Sequence, residues 1–169
     1  MYPKNSRYKH IPYPKMARWL KTAIGIITIL GAAGYFLVMP VVGQEGAPSE
    51  PEFASCYWPW LTTIWCTAIP IYIALVLAWQ VACDIGRERP FTHANARRIL
   101  RIGQLAILDV VFFFVMNVIR LFLNMSHPGI LLMALLVCAA GTAFAVVVLT
   151  LSHLVGRAAE LQDDSDLTI

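Results

Sequence analysis

Four apolar runs, each long enough to cross a lipid bilayer, decide what this chain can be. They extend from about Leu20 to Met39, Trp60 to Cys83, Ile99 to Met125 and Ile130 to Val155. A spanning helix takes about 20 mostly apolar residues. Hydrocarbon offers no water to the backbone, so each run must pair its own N–H and C=O groups as a helix. Charge is scarce to match, at 14% of the 169 residues, where soluble domains carry about 25%. The expected fold is an all-α integral membrane protein, one domain over residues 1–169. It has four transmembrane helices in an up-down bundle and a polar tail over residues 156–169. Pro70 lies inside the second run, lacks an N–H and predicts a kink. The first run starts too late and is too long for a cleaved leader, whose apolar part covers about 7–15 residues.

Charge placement sets the expected orientation. Of the 13 lysines and arginines, all but Arg120 fall on one side of the membrane. They precede the first span, join the second to the third, or follow the fourth. Glu45, Glu50 and Glu52 lie in the opposite loop. The positive-inside rule then puts both termini and the Arg87–Arg101 loop in the cytoplasm of a bacterial inner membrane. This orientation predicts that Cys56 reacts with an impermeant thiol reagent applied to spheroplasts, while Cys83 does not. Labelling of Cys83 from outside would reverse it.

The loop itself reads RERPFTHANARRILRIG, Arg87 to Gly103. Pro90 closes the preceding turn, Thr92 can cap the next helix and Phe91 can staple onto it. Arg97, Arg98 and Arg101 then fall in early turns, where their stems can snorkel to lipid phosphates. Direct nucleic-acid binding requires a larger basic face and a reading element, and neither is present.

Within the spans, Gln104, Asp109, Asn117 and Arg120 are the intramembrane polar set. Asp109 is eight residues past Arg101, about 12 Å along the helix. That depth is near mid-bilayer, where a charge costs at least about 2.5–3.5 kcal/mol. Arg98, Asp109 and Arg120 recur every eleven residues and so share one helix face. Asp109 has two readings: an interhelical hydrogen bond, with Tyr72 and Thr142 at similar depth, or a proton, ion or ligand site. Transport sites usually gather several polar groups or broken helices, which favours the structural reading.

Other chemistry is thin. No two of the four histidines sit at matched depth within the spans, so a haem is not expected. Cys56, Cys66, Cys83 and Cys138 form no metal spacing. Tyr57, Trp58, Trp60 and Trp65 read as an interfacial belt. Gly31, Ala32, Gly34, Ala139, Ala140 and Gly141 permit close helix packing. No catalytic constellation appears, so the chain is expected to be no enzyme and to hold no cofactor.

The C-terminal LQDDSDLTI is acidic with an apolar end. Its aspartates can fold back onto Arg97 or Arg98. The stretch PFTHANARRILRIG together with this ending resembles a family of small bacterial membrane proteins, domain-of-unknown-function family number twenty-nine seventy-five. The resemblance covers most of the chain but not the Trp- and Pro-rich first outer loop. It implies four spans and a cytoplasmic helix-turn-helix regulator as partner, with no catalytic residues. The expected function is a membrane-embedded regulatory or sensory protein that binds or sequesters that partner through Arg97, Arg98, Arg101, Leu167, Thr168 and Ile169. Self-association is a further expectation. The competing function is a small transport or ion-conducting subunit using Asp109, with Gln104 and Asn117.

Overall fold

A computed structural model describes residues 13–46, 57–123 and 128–166. Helix α1 (Tyr13–Ala33) passes through a π-helical turn (Gly34–Val38) into α2 (Met39–Gly46), forming one rod. Helices α3 (Tyr57–Gly86), α4 (His93–Phe122) and α5 (Pro128–Asp166) follow. Four helices are long and apolar enough to cross a membrane, and no strand occurs among the described residues. Each helix outruns its apolar core at one end or both, because polar turns continue past the hydrocarbon boundary. The third stops three residues earlier than expected, at Phe122.

The fourth departs most from expectation. It runs unbroken for 39 residues, about 58 Å at 1.5 Å per residue, against a hydrocarbon core of about 30 Å. The tail is therefore helix through Asp166 rather than a segment folded back on itself. Asp163 stands 3.4 Å from His93, at the start of α4. Ala158, Ala159, Glu160, Leu161 and Gln162 are strong helix formers, which explains the continuation.

Cross-helix contacts fix the topology. Tyr72 Oη donates to Thr28 O (3.2 Å) and Trp65 Nε1 to Tyr35 O (3.1 Å), so α1 and α3 are antiparallel. Asp84 meets Arg98 and Thr63 meets Arg120, so α3 and α4 are antiparallel as well. Between α4 and α5, Gly103 faces Leu149 and Gly141 faces Val110. A Cβ on Gly141 would stand 2.5 Å from Val110 Cγ2, and one on Gly103 would stand 2.6 Å from Leu149 Cδ2. These two glycines let the backbones close up. Ala139 and Ala140 are exposed, whereas Ala134, Cys138 and Ala145 form the buried stripe of α5.

Neighbours pack in chain order. Among the described residues no Cα pair within 8 Å joins α5 to α1 or to α3. The up-down set is thus a curved row with an open side, and the space it encloses is where the site lies.

The π turn has an identifiable partner. Its wider winding coincides with Tyr35, whose carbonyl takes the Trp65 indole N–H and whose hydroxyl lies 3.3 Å from Thr67 Oγ1. Such bulges often mark functional positions. Trp65 is therefore an interhelical tie rather than a member of the lipid-interface belt. Trp58, 64% exposed, fits the belt. The helix runs through Pro70 without interruption.

Candidate functional site

The face of α4 that carries Arg98, Asp109 and Arg120 does turn toward α3, as their eleven-residue spacing requires. Both of its ends are bonded to α3, although the buried Nε of Arg120 meets no acceptor among the described residues, and its middle is not.

At one end, Arg98 Nη1 donates to Asp84 Oδ2 at 2.5 Å and to Asn95 Oδ1 at 2.7 Å. Asn95 is fully buried, and its Nδ2 donates to Arg89 O (3.3 Å) and Pro90 O (3.2 Å). Thr92 caps α4 by accepting the Asn95 N–H at 3.2 Å, as expected. The preceding turn ends α3 with the Arg89 N–H on Asp84 O, the Glu88 N–H on Ile85 O, and Glu88 at φ 61°. That is a Schellman ending with a glutamate where glycine is usual. The motif is therefore a clamp that sets the α3–α4 turn. Arg98, expected to bind a partner, is bonded through Nη1 to Asp84 and Asn95, with its side chain 28% exposed. Arg97 and Arg101 are exposed. Leu167, Thr168 and Ile169 lie outside the described residues.

At the other end, Arg120 is 7% exposed and donates to Pro59 O (3.0 Å) and to Thr63 Oγ1. Asn117 is buried, and its Nδ2 donates to Phe113 O of its own helix at 2.8 Å. Gln104 is exposed on the outward side of α4. Asp109, Asn117 and Gln104, on which the competing transport function would depend, are not gathered into one cluster.

In the middle stands Asp109. Its Oδ1 is buried and has no hydrogen-bond partner. The expected partners are engaged elsewhere: Tyr72 with Thr28 O, and Thr142 with Cys138 O at 2.8 Å. Among the described residues, the interhelical hydrogen bond expected of Asp109 is not made by its Oδ1. Two cavities meet at this side chain. One, about 320 Å³, is walled by α3, α4 and α5, with Asp109 its only ionisable residue. The other, about 470 Å³, reaches Tyr35 and Gly31 of the first rod and adds Thr67 and Cys138 as its other polar walls. Pro70 lines the first, where its missing N–H leaves the carbonyl of Cys66 without the usual helical donor. The arrangement is an apolar chamber with one carboxyl group, next to the open side of the helix row.

Asp84, Asn95 and Tyr35 are the residues that sequence reasoning missed. Asp84 had a readable signal, a single acid at the end of a span directly before an arginine-rich turn. Among the described residues no group of three or more His, Cys, Asp or Glu side chains gathers as a metal site.

Four antiparallel apolar helices with polar groups sealed at each end define a multi-pass α-helical membrane protein. The chain belongs to the family described as "Protein of unknown function (DUF2975)", whose profile matches residues 41–169. It is also similar to a Bacillus subtilis (strain 168) protein described as "Uncharacterized membrane protein YoaS". The two are 27% identical over 153 residues, covering 89% of this chain and 96% of the relative. No solved structure matches the chain.

Proposed function

We propose that this protein is a sensory or regulatory protein of the bacterial inner membrane, with both termini in the cytoplasm. Its input is a small lipophilic amine held at Asp109. Its output passes from the arginine-rich end of α4 and α5 to a soluble cytoplasmic partner. The observation that carries this reading is the Asp109 carboxyl oxygen, buried without a partner where two apolar cavities meet. A buried polar group without a hydrogen bond costs about 1–3 kcal/mol, and intramembrane acids of that kind mark ligand or ion sites. The apolar walls select a lipophilic body and the carboxylate selects a cationic head. On the output side, exposed Arg97 and Arg101 and the helical acidic end of α5 offer charged surface for docking. A helix-turn-helix regulator as partner is what the family resemblance implies. The proposal contains no catalytic step.

The transport reading rests on the same carboxylate but lacks a polar path, since Gln104 faces outward and Asn117 is tied to its own helix.

The test is a thermal-shift series on protein in lipid nanodiscs, using primary amines from butylamine to decylamine, phenethylamine, and the matching alcohols. At least one amine is expected to raise the midpoint for the wild type while its alcohol does not, and Asp109→Asn should abolish the difference. Equal responses to amines and alcohols across the series would refute the amine site.

A further inference from the structure

A second feature lies apart from Asp109. HANAR (His93–Arg97) and HLVGR (His153–Arg157) repeat the same spacing, a histidine followed four residues later by an arginine. Residues four apart stand on one helix face. The structure turns both faces into one groove of about 640 Å³ between α4 and α5. Its floor is small: a Cβ on Gly156 would stand 3.8 Å from the Cβ of Ala96. One arginine comes from α4 and the other from α5.

We propose that this groove binds the phosphate group of an anionic ligand, and that its position in the membrane selects the headgroup of an anionic phospholipid. Arg97 and Arg157 have no acidic partner among the described residues, whereas Arg87 and Arg98 share Asp84. Arg97 spends only its Nε, on His93 O at 3.4 Å, and its side chain lines the groove, which leaves the two terminal nitrogens of its guanidinium available to a ligand. Guanidinium groups bind phosphate oxygens in bidentate pairs. His93 and His153 add donors at the walls. Basic pockets between spanning helices are a recurring way to hold a lipid headgroup.

Charge and apolar surface are graded along the groove. Glu160 lines the end away from the membrane, and Asp163 approaches His93 just beyond it. Toward the membrane, Leu100 lines the groove, and Leu154 is 60% exposed one turn below Arg157. A phosphate between the arginines would leave acyl chains running over Leu154 and Leu151, both exposed. A free phosphate would use the arginines but not the leucines.

The experiment measures lipid retained by full-length protein after reconstitution in equal parts phosphatidylglycerol and phosphatidylcholine, then detergent washing and mass spectrometry. Wild type is expected to keep phosphatidylglycerol preferentially. The Arg97→Gln/Arg157→Gln pair should lose that preference by at least about tenfold, since losing even one of its two charge-assisted contacts has that effect. Lys15→Gln/Arg18→Gln, which removes as much charge from the start of α1, should keep it. A second arm adds inorganic phosphate to protein in phosphatidylcholine alone. Stabilisation of the wild type but not of the groove pair, without lipid preference, would uphold the phosphate site and make its source soluble. If the groove pair does not fold, Glu160→Gln replaces it and should strengthen retention by removing a repelling carboxylate. Equal retention by wild type and groove variants, with no phosphate response, would overturn the proposal.

Discussion

Asn95→Ala is expected to lower the stability of the folded protein by about 2–4 kcal/mol, more than any other polar truncation at the arginine-rich end. The side chain is fully buried and works in three directions. Its amide nitrogen holds the carbonyls of Arg89 and Pro90, which closes the α3–α4 turn. Its amide oxygen accepts from Arg98, whose guanidinium nitrogen also reaches Asp84 on α3. Alanine removes a donor from each of two part-buried loop carbonyls and an acceptor from the Arg98 guanidinium, which keeps Asp84, and unmade bonds at such groups cost more than made bonds contribute. Denaturation with sodium dodecyl sulfate in mixed micelles, followed by far-UV circular dichroism, measures the difference. Asn95→Asp should lie between wild type and alanine, since it keeps the acceptor and loses both donors. Gln104→Ala, on the exposed side of the same helix, should change stability by less than about 0.5 kcal/mol. An equally small effect of Asn95→Ala would mean that the turn is held by something else.

The clamp also shows where sequence reasoning reaches and where it stops. The four spans were legible because the bilayer leaves the backbone one solution. The Thr92 cap was legible because capping is local. The role of Arg98 was not: a basic residue at a span boundary looks the same whether it snorkels to phosphate or pairs with an acid. Its acid lies 14 residues earlier, on the other side of a turn, and only the closed turn brings them together. The outward position of Gln104 could have been deduced. Five residues before Asp109 is about 140° away around a helix of 3.6 residues per turn, so the two were never on one face. The π turn at Gly34–Val38 had no sequence signature, and the bond it accepts at Tyr35 O comes from the indole of Trp65 on another helix. For Asp109 the sequence gives a helix face, and that face does turn toward α3. Its lack of a partner depends on where Tyr72 and Thr142 direct their hydroxyls, and that is settled by packing alone.

Asp109→Leu is expected to stabilise the protein by about 1–3 kcal/mol while removing its response to amines. Most substitutions inside a packed membrane protein destabilise it, so the sign is the informative part. The wild-type carboxyl keeps one oxygen buried without a hydrogen bond, beside cavities of about 320 and 470 Å³. Leucine is similar in length, brings no polar atom, and adds carbon contacts to walls formed by Ile71, Val110 and Gly141. In lipid the gain comes from dispersion contacts and from removing the unpaired oxygen, not from a hydrophobic driving force. A polar group kept at a cost to stability is the pattern of a site retained for function. Asp109→Asn separates the two contributions. It keeps the shape and the polarity but not the charge, so it should lose the amine response with little change in stability. The same detergent denaturation and the amine thermal-shift series give both readouts. If Asp109→Leu instead loses more than about 1 kcal/mol, the carboxyl is making a structural bond in the bilayer. Asp109 would then be an interhelical tie, and the chamber around it would not be a ligand site.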